Sequence, residues 1–251
     1  TAVCLSNQGQ LGKAYYVYAE DNDGYLTDAR PAPPGNGYVT YTLPGGISYR
    51  AHAFVAEPMN ASHTFNNQSL EDQIRGMEVG GLWPYLESYE IFNCPMDKRW
   101  RKPPSLPQPN VSNNAIGCFR SYSIGGVLSA GGYNETGTGE NEAVIIKYSG
   151  FTNPGSKIVF LEENAEDGIN QNYWNVFYTV RNWYDPLAIV HNGSSTFSYA
   201  DGHADKYKWT DKVMIKMSKE LLPKNQAIDE TSNDYDWFLR VYTPGRSRHI
   251  P

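Results

Sequence analysis

The strongest constraint on this chain is its order: one amphipathic helix at the front, then a long irregular stretch, then mostly strands. Residues 1–20, TAVCLSNQGQLGKAYYVYAE, place Cys4, Leu11, Tyr15 and Tyr18 at steps of seven, four and three, which is a single helical stripe. Gly9 and Gly12 lie inside that helix and cost it about 1 kcal/mol each relative to alanine. A helix with two interior glycines needs a sheet to dock on, or continuation into a longer helix. DNDGYL then ends it, with Gly24 as the left-handed stop.

Residues 28–69 are rich in proline and glycine, with YVTYTL as a short strand. Residues 70–87 read as a short helix broken at Gly80-Gly81, then a turn holding Trp83 and Leu86. YEIFNCP reads as a strand ended by Pro95, and RKPPSLPQPNVSNN as a surface excursion. CFRSYSIGGVL and NVFYTV are further strand candidates, and GSKIVFLEE (155–163) is the clearest strand. STFSYA and HADKYKW flank Asp201-Gly202, a two-residue hairpin signal that would put Phe197, Tyr199 and Ala204 on one face. TDKVMIKMSKELL is a short helix with Thr210 as its N-cap, and NDYDWFLRVYTPG carries the aromatics to pack back onto the body.

Segregated helix and strands, rather than βαβ alternation, argue for an α+β fold and against a parallel nucleotide-binding sheet. The expected sheet is antiparallel, with the N-terminal helix packed on it and long irregular loops around it; it includes 156–162, 195–200 and 203–209, in a single domain spanning 1–251. Within it, 1–20 is the helix, 21–150 a loop-rich helix and strand region, and 151–251 the sheet with its hairpin and C-terminal segment. No P-loop lysine follows the Gly-rich runs GGISYR and SIGGVLSAGG. The net charge of −6 and the lack of a basic cluster argue against nucleic-acid binding. No run reaches the roughly 18–20 apolar residues of a membrane span. Helical patterning is under way at Thr1 with no preceding Met, so the chain reads as mature or truncated.

Three segments in this order resemble a known family. CLSNQGQLGKAYYVYAEDNDGYL is similar to the segment after the hydrophobic helix in prepilin-type proteins of the Planctomycetes–Verrucomicrobia–Lentisphaerae kind. IFNCP resembles that family's strand ending in Cys-Pro. HNGSSTFSYADGHADKYKW resembles its processing-associated domain, a His, nine residues, then Asp-Gly: here His191, Asp201 and Gly202. The chain departs from the simplest pattern at Gln8-Gly9 and in carrying Cys118.

The resemblance implies a pilin-like fold and a non-enzymatic role, as a bacterial type IV pilin-like or type II secretion pseudopilin-like subunit of the cell envelope. It implies other pilin or pseudopilin subunits as partners. It also implies a cleaved and methylated leader and an inner-membrane helix, both outside this sequence, with the head on the periplasmic or extracellular side. Cys4, Asn7, His191, Asp201 and Gly202 are its structural markers. The three cysteines allow three pairings, and the resemblance favours Cys4 with Cys94 as a helix–sheet staple in an exported subunit.

The residues themselves bear on other chemistry. A strand over 195–200 spans roughly 20 Å, which separates His191 from Asp201 and disfavours a catalytic dyad. His191 then fixes the start of the strand, with its partner open. Asp21 and Asp23 in DNDG, and Glu162 and Glu163 in EENAED, are minority candidates for calcium. DNDG lacks the distal Glu of an EF-hand loop, since position 32 is Ala. No cofactor is otherwise expected, and the cysteines show no local zinc spacing. Glu162 and Glu163 are adjacent, so in a strand they face opposite ways and would not flank a glycosidic bond. No Gly-x-Ser-x-Gly elbow supports a hydrolase. A secreted carbohydrate-binding module is the alternative function, with Trp174 and Trp183 stacking on sugar rings.

Overall fold

The computed structural model describes residues 1–43, 47–101, 117–128, 144–164, 173–177, 181–220, 226–227 and 232–245. Most of the Pro-rich excursion and the second half of EENAED lie outside the described residues.

The helices are α1 (Ala2–Asp21), α2 (Leu70–Glu78), α3 (Trp83–Leu86), α4 (Lys212–Glu220) and α5 (Asn233–Tyr242). The strands are β1 (Tyr38–Leu43), β2 (Ile47–His52), β3 (Tyr122–Gly125), β4 (Ile158–Glu162) and β5 (Tyr173–Trp174). They continue with β6 (Val176–Phe177), β7 (Asn182–Trp183), β8 (Ser194–Tyr199), β9 (Ala204–Lys208) and β10 (Gln226–Ala227). The architecture is α+β, an N-terminal helix with antiparallel and mixed sheets. β1 and β2 pair as a hairpin, and β10-β7-β6 form a small sheet. The main sheet has the order β5-β3-β4-β8-β9.

The main sheet is antiparallel except for β3 with β5. Both edges of β4 are occupied, by β3 and β8. A strand that reverses after β4 and settles on the far side of β3 runs parallel to β3, so the expected all-antiparallel sheet becomes mixed at that edge.

α1 lies across one face of this sheet. Its expected stripe of Cys4, Leu11, Tyr15 and Tyr18 is buried. The Tyr15 ring meets Phe160 of β4 edge-on at 5.8 Å. The opposite face carries α5 and an aromatic cluster in which Phe238 packs on Trp174 at 5.0 Å and on Trp183 at 5.4 Å. With a helix on each face, β4 is buried along its whole length, which explains why KIVFL is continuously apolar.

Two local expectations change. YEIFNCP forms a 3-10 turn at Tyr89–Phe92, not a strand. This segment joins the sheet through one backbone bond, from Ser121 N–H to the Phe92 carbonyl. The Asn7 side chain on α1 holds two further carbonyls of the segment, those of Glu90 and Asn93. α4 is capped by Asp211, whose carboxylate accepts from Met214 N–H at 2.8 Å, while the Thr210 hydroxyl donates to Asp234 at 2.9 Å. Asp211→Ala is expected to lower stability by about 1 kcal/mol in urea unfolding.

The hairpin β8–β9 forms, with a different loop. Gly202 N–H donates to the Tyr199 carbonyl and Tyr199 N–H to the His203 carbonyl, so the loop is Ala200-Asp201-Gly202. Gly202 has φ +87° and Asp201 is not in the left-handed region, the pattern of a three-residue loop. One extra loop residue shifts the register, and Ala204 pairs with Ser198 instead of Tyr199. Ala204 therefore shares the α1 face with Ser198, and Phe197 faces α5. The two-residue turn with positive φ at both positions occurs nine residues earlier, at Asn192 (φ 54°) and Gly193 (φ 78°). It is closed by His191 N–H donating to the Ser194 carbonyl at 3.1 Å.

Candidate functional site: a buried Cys/Cys/Glu/His cluster

Four side chains from four separate segments converge under the first turn of α1. Cys4 comes from α1, Cys94 from the loop after the 3-10 turn, Glu162 from the end of β4, and His191 from the turn before β8. All four are buried, none more than 6 % exposed. The Cys4 and Cys94 sulfurs are 2.7 Å apart, and Cys94 Sγ lies 3.5 Å from His191 Nε2. His191 Nε2 lies 2.8 Å from Glu162 Oε1. One donor atom from each residue fits within 4.8 Å of all the others.

The surrounding backbone explains why these residues meet. The Asn192-Gly193 turn folds His191 back beside the end of β4. Period two along β4 puts Phe160 and Glu162 on the α1 face. Asn7, one helical turn beyond Cys4, donates Nδ2–H to the carbonyls of Asn93 at 2.9 Å and Glu90 at 3.4 Å. It therefore holds the Cys94 loop against the helix that carries Cys4. From the other side, Cys94 N–H donates to Ser121 Oγ at 3.0 Å, and Asn93 Nδ2–H to the Phe119 carbonyl at 2.6 Å.

The electrostatics follow from burial and these bonds. Glu162 Oε2 accepts from Thr196 N–H at 2.7 Å, leaving Oε1 for His191. That carboxylate hydrogen bond raises the pKa of His191, against the opposing effect of burial. The hydrogen bond from Cys94 lowers the Cys4 thiol to about 7, with burial opposing, and the same bond pushes the Cys94 thiol up. The Tyr122 hydroxyl, wholly buried, lies beside Cys4. His191 Nδ1 is 3.4 Å from the Thr1 hydroxyl.

A nucleophilic triad is a poor description of this set. A relay histidine uses one ring nitrogen for the nucleophile and the other for the carboxylate. Here Nε2 faces both Cys94 and Glu162, and both sulfurs are closed to a substrate.

The sequence-derived candidates sort clearly. His191 and Asp201 sit at opposite ends of β8, and Asp201 Oδ1 instead contacts His203 Nδ1 at 2.5 Å. The partner of His191 is Glu162. Glu163 turns to the other face of β4, where the Ser123 hydroxyl donates to its carboxylate. Asp21 accepts from the Tyr85 hydroxyl at 3.0 Å, and with Asp23 it stands at the far end of α1, about 25 Å along the helix axis from Cys4. The four calcium candidates thus do not converge. Among the described residues, the group close enough to hold an ion is Cys4, Cys94, Glu162 and His191.

Trp174 and Trp183 are both completely buried, packed against each other and α5, and neither offers a face to a sugar. Cys4 and Cys94, the pair that the resemblance favours, lie side by side as thiols. Cys118 stands apart, its thiol directed to the Arg120 carbonyl.

The role of Glu162 was missed, although a signal was present. A carboxylate at an inward position of an otherwise apolar strand needs a buried partner. Tyr122 and Thr196 gave no comparable sign. The expectation against a zinc site rests on local spacing, and Cys4, Cys94, Glu162 and His191 come together from four separate parts of the chain.

The chain was compared with protein-family models, curated proteins and solved structures, and no match was found in any of the three.

Proposed function

We propose that this chain is the globular head of a pilin-like or pseudopilin-like subunit, a structural component of the bacterial cell envelope whose work is assembly. One observation carries the reading. The three separated motifs on which the resemblance rests each send a residue, Cys4, Cys94 and His191, to the same point under α1. They behave as parts of one structural unit. The arrangement of α1 is compatible with this role. Its inner stripe is buried on the sheet, and Val3, Tyr16 and Val17 are exposed on its outer side.

In this reading the helix is the upper part of a spine, and a preceding apolar segment would pack subunits into a fibre. The head's loops would set lateral contacts with other subunits, on the periplasmic or extracellular side of the inner membrane. Among the described residues no helix is long and apolar enough to cross a membrane, so the anchor would be supplied from outside this sequence.

The coding sequence upstream of Thr1 tests the proposal. It is expected to encode a basic stretch, a peptidase-cleavable junction and about twenty apolar residues. The full-length chain co-expressed with a prepilin peptidase should be shortened at that junction. An upstream region without such a segment, or a full-length chain that the peptidase leaves intact, would sink the reading.

A further inference from the structure

We propose that Cys4, Cys94, Glu162 and His191 form a closed four-coordinate site for a thiophilic divalent cation of the zinc class, which staples α1 and the Cys94 loop to the sheet. The donor set selects the ion. Two sulfurs, one imidazole nitrogen and one carboxylate oxygen suit zinc, whereas calcium and magnesium require oxygen ligands throughout. The site is buried on all sides, which is the character of a structural metal site, not a catalytic one with an open position.

The four donors stand close to the edges of a metal tetrahedron. With metal–sulfur bonds of about 2.3 Å and metal–nitrogen or metal–oxygen bonds of about 2.0–2.1 Å, tetrahedral edges run from about 3.3 to 3.8 Å. The present separations bracket that range, from 2.7 Å between the sulfurs to at most 4.8 Å. Loading therefore spreads the two sulfurs by about 1 Å and draws the most distant donors together. Cys94 lies on a loop, so this movement need not displace the helix or the sheet.

The surroundings are arranged as metal ligands require. Thr196 N–H holds one carboxylate oxygen of Glu162 and leaves the other facing the cluster. The Thr1 hydroxyl lies within reach of His191 Nδ1, so a proton on that nitrogen leaves the Nε2 lone pair for the metal. The Tyr122 hydroxyl can donate to the Cys4 thiolate. A disulfide between Cys4 and Cys94 would account for the two sulfurs alone. It gives no reason to bury a carboxylate and an imidazole against them, at the desolvation cost that such a pair carries. A cation uses all four.

The binding step involves protons and no electrons. The divalent ion bonds to two thiolates, the carboxylate and the neutral imidazole. Whatever protons the two thiols and the imidazole carry pass to solvent on binding.

Cobalt(II) and zinc(II) titrations of the chelator-stripped protein test this, with the protein kept reduced by a phosphine under nitrogen. The expected result is one equivalent of cobalt, with a thiolate-to-cobalt charge-transfer band of two-thiolate intensity and the strong visible bands of tetrahedral cobalt. One equivalent of zinc should bleach both. Cys94→Ser is expected to weaken binding by more than about 100-fold, beyond the usual loss on removing an outer-shell partner, and Tyr122→Phe by about 10-fold. Cys118→Ser should bind as the wild type does. Lack of a charge-transfer band in the reduced protein would overturn the proposal, as would a band that persists unchanged in folded Cys4→Ser and Cys94→Ser. If those two variants fail to fold by circular dichroism, the wild-type band intensity and the Cys118→Ser titration decide. The site is independent of the fibre reading, and either can fail without the other.

Discussion

Gly12→Val is expected to destabilise the protein by about 3 kcal/mol, the upper part of the range for overpacking a close contact. In a chain of this size that is a fall of roughly 6–12 °C in melting temperature. A Cβ at Gly12 would meet Ser198 Oγ at 2.2 Å, and the backbone of Gly202 and Tyr199 at 3.2 Å. The serine hydroxyl can rotate away. The two backbone contacts cannot, because they belong to the end of β8 and the loop after it, against which the helix rests. A β-branched side chain then leaves α1 no route but to lift. Since α1 carries Cys4, the same substitution should also spoil the proposed cobalt spectrum without altering any of the four side chains of the cluster. Gly9→Ala is the matched control. Its Cβ would find nothing closer than 3.9 Å, and alanine favours the helix by about 1 kcal/mol, so a small gain in stability is expected. Equal effects at the two positions in thermal unfolding would refute this account of how the helix is seated.

These two glycines also show what the sequence could and could not disclose. Helical periodicity placed α1 and its inward stripe correctly, because burial of Leu11, Tyr15 and Tyr18 depends only on spacing along one helix. Propensity charged both glycines alike. The distinction between them depends on how closely β8 and its loop approach, which is a tertiary fact. The hairpin shows the same limit at finer scale. Asp201-Gly202 marks the turn, yet its loop has three residues, and one residue is enough to move Ala204 to the other face. Asn192-Gly193 forms the two-residue turn instead, and that turn brings His191 to Glu162. Cys4, Cys94, Glu162 and His191 could each be noticed singly. Their convergence could not, because no ligand in the set has another close to it in the chain, and strand order decides which remote segments meet.

Removing the Glu162 carboxylate should have the largest effect of all. In the reduced, metal-free protein, Glu162→Ala is expected to cost about 3–5 kcal/mol, as breaking a buried pair from one side does. The carboxylate has no exposed surface and holds both the His191 imidazole and Thr196 N–H. Its loss leaves the buried imidazole and a buried amide without their acceptor, and opens a cavity beside two sulfurs. The effect carries a definite pH signature. The pKa of His191 is raised in the folded state, chiefly by the Glu162 hydrogen bond, above its ordinary 6.5. A raised value stabilises the folded form fully below the unfolded pKa, and that contribution is lost as pH rises through the folded one. Glu162→Gln keeps an acceptor for Thr196 N–H and removes the charge, so the stability gap between wild type and this variant should widen as pH falls from about 8.5 to about 6. Urea unfolding at the two pH values measures it. The double variant Glu162→Ala/His191→Ala should cost less than the two single changes added together, because neither charge is then buried alone. A gap that stays flat with pH, or single changes that simply add, would mean that His191 and Glu162 are neighbours without being an ion pair.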